Sequence, residues 1–124
     1  MYNALIIEDD ATVRSYLKRI IQKKFPFAVS EAENGSDGLE ALKKVKPDII
    51  FLDISMPVMS GLQFLEQIKL QPSYSNIPII VLTAHNDLGT IQKIVSLGIT
   101  DYILKPIDPQ KTYARIQNFI DNLK

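Results

Sequence analysis

The sequence predicts an α/β fold, a doubly wound sheet of five parallel strands with helices on both faces. Three observations carry this. Apolar patterning switches between short continuous runs and helical spacing about five times within 124 residues, the signature of strands alternating with helices around a parallel sheet. The runs Ala4 to Ile7, Ile49 to Leu52 and Ile77 to Leu82 are nearly unbroken in apolar character, as central strands covered on both sides require. Proline and glycine fall where the patterns change, at Pro26, Pro47 and Gly98, which places turns between elements.

In chain order, Ala4 to Ile7 reads as the first strand, followed by a helical stripe of Val13, Leu17, Ile20, Ile21 and Lys24 that Pro26 ends. Val29 and its neighbours form a weaker, outer strand, and Leu39, Leu42 and Val45 a second helix up to Pro47. The third strand, Ile49 to Leu52, precedes a stripe of Leu62, Leu65 and Ile68; the fourth, Ile77 to Leu82, precedes Leu88, Ile91 and Val95. Tyr102 to Leu104 reads as another outer strand, and Tyr113, Ile116, Ile120 and Leu123 as the last helix. Asp108-Pro109 has the pattern of an N-cap followed by proline at the first helical position, and Leu97-Gly98 that of a helix ending on glycine. Gly89 in the first turn of the fourth helix costs about 1 kcal/mol against alanine, making that helix the weakest.

Bulk properties narrow the function. A chain of 124 residues with 46% apolar content supports one core, so residues 1–124 are expected to be one domain. Basic and acidic side chains balance at 14 each, which leaves no net field toward nucleic acid or an anionic membrane. Without cysteine there is no thiolate chemistry or Cys-ligated metal. The start at Met1-Tyr2-Asn3 lacks the basic region and cleavage site of a signal peptide, and no apolar run approaches the roughly 20 residues of a membrane span. A cytoplasmic location is the expectation.

The ends of the apolar runs are unusually polar: Glu8-Asp9-Asp10 after the first, Asp53 after the third, Thr83 after the fourth and Lys105-Pro106 after the fifth. In an open parallel sheet these ends form one rim, where ligands bind. Asp10 reads as the N-cap of the first helix rather than a site residue. Asp53 leaves the most buried strand directly after Ile-Ile-Phe-Leu. Two carboxylates about 4 Å apart repel by roughly 4 kcal/mol at an effective dielectric near 20, so the rim calls for a cation. Carboxylates without His or Cys suit magnesium or manganese rather than zinc. His85, the single histidine, reads as a loop residue.

Taken in order, Glu8-Asp9, Asp53, Met56-Pro57 with Gly61, Thr83-Ala84, and Tyr102 with Lys105-Pro106 resemble the response-regulator receiver domain of two-component signalling over essentially the whole chain. The resemblance implies a flavodoxin-like strand order of 2-1-3-4-5 and a cis Lys105-Pro106 bond. It places Asp53 at the phosphoacceptor and Asp9 at a direct magnesium ligand. Glu8 falls at a second acid acting through metal-bound water, and Ser55 where a backbone carbonyl completes the metal shell. Lys105 matches the lysine that contacts phosphoryl oxygens, Thr83 and Tyr102 the switch pair, and Ser55 and His85 the positions that tune acyl-phosphate lifetime. Glu8 stands where aspartate is the commoner family choice and so reaches one methylene further.

The function implied by the resemblance is that of a phosphoacceptor signalling protein, not a classical enzyme. Such a protein takes its phosphoryl group from a histidine kinase or histidine phosphotransfer protein. It then changes the face formed by the fourth helix, fifth strand and fifth helix toward a downstream protein target. It binds neither nucleic acid nor membrane, and is a monomer or a weak phosphorylation-dependent dimer, either stand-alone or excised from a longer regulator. Two other classes compete. One is a binding module of the same fold that works without phosphate, against which the retained charged and hydroxyl positions argue. The other is a magnesium-dependent phosphohydrolase with an aspartyl nucleophile. That class typically has a second acid two residues on, where this chain has Ser55, and Asp53 ends the third strand rather than the first. Like-charge repulsion at the rim also suggests that Asp9→Asn stabilises the metal-free protein.

Overall fold

The computed structural model describes residues 2–54, 59–84, 88–99 and 101–122. Ser55, Met56, Pro57, His85 and Leu123 lie outside the described residues, as does the side chain of Leu88. The chain runs β1 (Tyr2–Ile7), α1 (Ala11–Lys24), β2 (Phe27–Ala32), α2 (Gly35–Lys44), β3 (Ile49–Asp53), then α3 (Gly61–Lys69), β4 (Ile79–Thr83), α4 (Leu88–Ser96), β5 (Asp101–Leu104) and α5 (Pro109–Asn122). All pairings are parallel and the strand order is β2-β1-β3-β4-β5, as expected. The strands whose sequences are least apolar, β2 and β5, are the two edges.

Because side chains alternate across a strand, the apolar runs feed two cores. Leu5, Ile7, Ile50, Leu52, Ile79 and Val81 face one layer with Leu42 of α2, Phe64, Leu65 and Ile68 of α3 and Ile94 of α4. Ala4, Ile6, Ile49, Phe51, Ile80 and Leu82 face the other with Leu17, Ile20 and Ile21 of α1 and Ile116 and Phe119 of α5. Every residue of β3 is buried, and each such Ile, Leu or Phe contributes about 1.5–3 kcal/mol relative to exposure. The sheet is therefore the rigid base from which the rim residues project.

Two expectations need correction. The fourth strand starts at Ile79 rather than Ile77, because Pro78 intervenes and has no N–H for the ladder; Ile77 is still buried. Among the described side chains of α4 the buried one is Ile94, Ile91 is half-buried and Val95 is 54% exposed, so the inward face passes through Ile94 rather than Val95. The predicted ends hold. Asp108 Oδ1 accepts from the Gln110 and Lys111 N–H groups, and Gly98 follows α4 with φ +85°, a left-handed conformation suited to glycine. The Lys105-Pro106 bond is cis.

Gly61 ties the fold to the rim. Its N–H donates to the Ile54 carbonyl at 3.0 Å, and a Cβ at this position would collide with the backbone of Asp53 and Ile54. Ser60 then caps α3 reciprocally with Gln63. Gly61→Ala is expected to destabilise the protein by about 1–3 kcal/mol, as overpacking against backbone does, measured by urea unfolding. A loss below a few tenths would mean that this close approach is not required.

Candidate functional site

The strand order reverses between β1 and β3, and the residues that leave those two strands face each other across the resulting crevice. Glu8 follows β1. Its N–H donates to the Ala32 carbonyl at 3.0 Å, its own carbonyl accepts from Arg14 Nη1 at 2.7 Å, and its side chain is 0% exposed. Asp9 stays exposed. Asp10 is the α1 cap, accepting from the Thr12 and Val13 N–H groups, while its own N–H donates to Glu8 Oε2 at 3.2 Å. Three adjacent acids thus have three different environments.

Asp53 closes β3 and is 3% exposed; Thr83 closes β4 and is 1% exposed. The Lys105 N–H donates to the Thr83 carbonyl at 2.8 Å, directly after β5. This bond aims the lysine side chain back over the rim. Its Nζ lies 2.7 Å from Glu8 Oε1 and 3.3 Å from Asp53 Oδ1. One carboxylate oxygen each from Glu8, Asp9 and Asp53 lies within 4.8 Å of the others. Tyr102 in β5 is half-buried against the core on the α2, α3 and α4 side. The fold therefore gathers Glu8, Asp9, Asp53, Thr83 and Lys105 at neighbouring strand ends. Tyr102 sits one strand over, paired in register with Val81.

The longer arm of Glu8 has a consequence that aspartate would not have: it brings Oε1 onto the ammonium of Lys105. At 2.7 Å the pair is a close, charge-assisted contact. Burial pushes the Glu8 carboxyl up from 4.5 to about 7, assisted by Asp53 and opposed by Lys105 and the Asp10 amide. Burial would raise Asp9 too, but contacts with the Glu8 and Asp53 side chains, its own backbone and the Lys105 charge hold it below the ordinary aspartate range. Burial would lower the Lys105 ammonium, but Glu8 and Asp53 raise it above the usual lysine value. The site's electrostatic strain thus sits on Glu8 rather than on Asp9, where Asp9→Asn was expected to relieve it.

These residues fit a hard divalent cation. The donors are carboxylate oxygens and they converge, one from each of Glu8, Asp9 and Asp53. Arg14, which sequence reasoning did not single out, braces the backbone beside them. In the sequence it is an ordinary charged position on a helix, and only the packing of α1 on β2 brings its guanidinium to the Glu8 carbonyl.

Comparison with known proteins is consistent across sequence and structure. A family model described as the response regulator receiver domain matches residues 4–117. Chemotaxis protein CheY of Thermotoga maritima is 37% identical over 108 residues, covering 86% of this chain and 88% of that protein. The DNA-binding transcriptional regulator NtrC of Proteus hauseri is 35% identical over 122 residues, 98% of this chain; the chain spans 25% of its length. The crystal structure of Vibrio cholerae chemotaxis protein CheY4 at low pH superposes with a TM-score of 0.88 at 27% identity, covering 96% of this chain and 98% of that one. Among the described residues, no helix is long and apolar enough to cross a membrane.

The Glu8 carboxyl makes stability depend on pH in a defined direction. Between about 4.5 and about 7 the folded protein holds a proton that the unfolded chain has released. In chelator, stability should therefore fall as pH rises through that window, at up to roughly 1.4 kcal/mol per pH unit, and level off above it. Glu8→Gln should remove that fall. Thermal melts of both proteins across the window check this, and an unchanged slope in the variant would assign it to another group.

Proposed function

The chain belongs to the response regulator receiver domain family of two-component signalling, and from that membership we propose that it is a phosphorylation switch whose phosphoacceptor is Asp53. The observation that supports this most directly is the convergence of Glu8, Asp9 and Asp53 within 4.8 Å, with Lys105 Nζ 3.3 Å from Asp53. Phosphoryl transfer asks a protein mainly for in-line positioning and for charge compensation on the transferred oxygens. The buried base of β3 supplies the first, and the cationic and hydroxyl groups around Asp53 supply the second.

The residues that would hold a divalent ion are Glu8, Asp9 and Asp53, joined in the family pattern by the Ser55 backbone carbonyl. Magnesium or manganese, when bound, supplies Lewis-acid neutralisation of the phosphoryl oxygens. An Asp53 carboxylate oxygen attacks phosphorus as the bond from phosphorus to the donor's imidazole nitrogen breaks. The bonding pair leaves with that nitrogen, which is reprotonated, and an acyl phosphate forms on Asp53. Lys105 carries an ammonium whose proton is held firmly by two carboxylates, so it remains cationic as the phosphoryl group arrives and can shift from Asp53 to the new oxygens.

The added negative charge and acceptor oxygens draw the Thr83 hydroxyl at the end of β4. Tyr102 then takes up the space, changing the face made by α4, β5 and α5. That face carries exposed Val95 and Leu104, which suits a downstream protein target. The donor is a histidine kinase or a histidine phosphotransfer protein. Ser55 and His85 tune the lifetime of the acyl phosphate, and any dimer is weak and depends on phosphorylation. We place the protein in the cytoplasm, where such donors present their phosphohistidines.

Incubation with magnesium and a small-molecule phosphodonor should add the mass of one phosphoryl group, read by intact mass spectrometry. Asp53→Asn should abolish the adduct, and Lys105→Ala should slow its formation about 100-fold, the usual cost of removing one charge-stabilising group. An adduct that persists in Asp53→Asn would refute the assignment.

A further inference from the structure

Asp9 poses a problem that the sheet does not solve. It is exposed, and its carboxylate is held among the Glu8 and Asp53 side chains and its own backbone rather than by packed apolar walls. Whether that carboxylate reaches those neighbours depends on the backbone it leaves, namely the peptide joining Glu8 to Asp9. The carbonyl of that peptide accepts a hydrogen bond from Arg14 Nη1 at 2.7 Å. Arg14 is itself fixed: its side chain is 13% exposed, and its Nε donates to Glu31 Oε1 at 3.1 Å. The other Glu31 oxygen pairs with Lys18 at 3.3 Å, and Nη2 lies 4.0 Å from Glu33. Glu31 stands in β2, in register with Ile6 of β1. The chain of contacts thus runs from edge strand β2 through one guanidinium to the peptide from which Asp9 projects.

We infer that Arg14 is a positioning residue for the divalent-ion site: anchored on Glu31, it fixes the plane of the Glu8-Asp9 peptide and with it the direction of the Asp9 carboxylate. Lysine cannot replace it, because the planar guanidinium reaches two acceptors in fixed relation whereas an ammonium is a single point on a flexible stem. Nor does the effect rest on charge, since a cation beside a metal site opposes metal binding. Partners that orient a ligand in this way typically govern metal affinity by ten- to a hundredfold. The inference rests on the reading of Glu8, Asp9 and Asp53 as a divalent-ion site.

The test is a double-mutant cycle read by manganese binding, with free Mn2+ followed by electron paramagnetic resonance and each protein checked by its melting curve. Arg14→Lys keeps the charge and should weaken Mn2+ binding about tenfold. Asp9→Asn should weaken it as well, and Arg14→Lys with Asp9→Asn should bind within about twofold of Asp9→Asn alone, because the second residue acts only through the first. Equal weakening by Arg14→Lys in both backgrounds, or wild-type affinity in Arg14→Lys, would overturn the inference while leaving the ion site intact. Failure of the wild type to bind Mn2+, or an Asp9→Asn protein that binds like wild type, would instead overturn the ion-site reading and this inference with it. Should Arg14→Lys not fold, Glu31→Ala, which removes the acceptor of the Arg14 Nε–H, takes its place in the cycle with the same deciding outcomes.

Discussion

The structure depends on holding like charges together. Three carboxylates from the ends of β1 and β3 converge on one another, and two of them, Glu8 and Asp53, on the Lys105 ammonium, so the crevice holds more acids than Lys105 neutralises. At the distances involved each carboxylate pair costs a few kcal/mol at an effective dielectric near 20. The protein meets that cost by burying Glu8 enough that it retains a proton to about 7, and by fixing Lys105 through a backbone bond to Thr83. That excess charge is what the proposed divalent cation would offset.

Nothing in this cluster would persist without the rigidity of the sheet. β3 is buried along its whole length, which fixes the origin of Asp53, and the β4 to β5 register delivers Thr83 and Lys105 to the same rim. Gly61 lets the start of α3 press against the backbone of Asp53 and Ile54, where any side chain would intrude. Arg14 links the acid turn to β2. The site is thus supported from three sides by elements distant in sequence, as a preorganised charge arrangement must be if reorganisation is not to consume its advantage.

Much of this is legible because parallel sheets separate apolar strand interiors from polar strand ends. A run such as Ile-Ile-Phe-Leu before Asp53 announces both a buried strand and a rim carboxylate. The cap role of Asp10 is readable for a similar reason, since capping depends on neighbours two and three residues away. The inward face of α4 is not readable in this way, because Ile91, Ile94 and Val95 are all apolar and spacing alone does not say which one the sheet covers. Pro78 shortens β4 through a missing donor that hydropathy does not register.

By itself the sequence determined the fold class, the order of elements and the identity of the rim residues, since periodicity and local capping act over a few positions and need no partner. Tertiary structure alone decided how the three adjacent acids divide their roles. Glu8 is buried against Lys105, Asp9 is left in solvent, and Asp10 is committed to the helix. It alone turned Arg14 from a helical surface charge into a brace on the Glu8 carbonyl. The reason is that burial and electrostatic coupling are properties of distances across the fold, which local sequence does not encode.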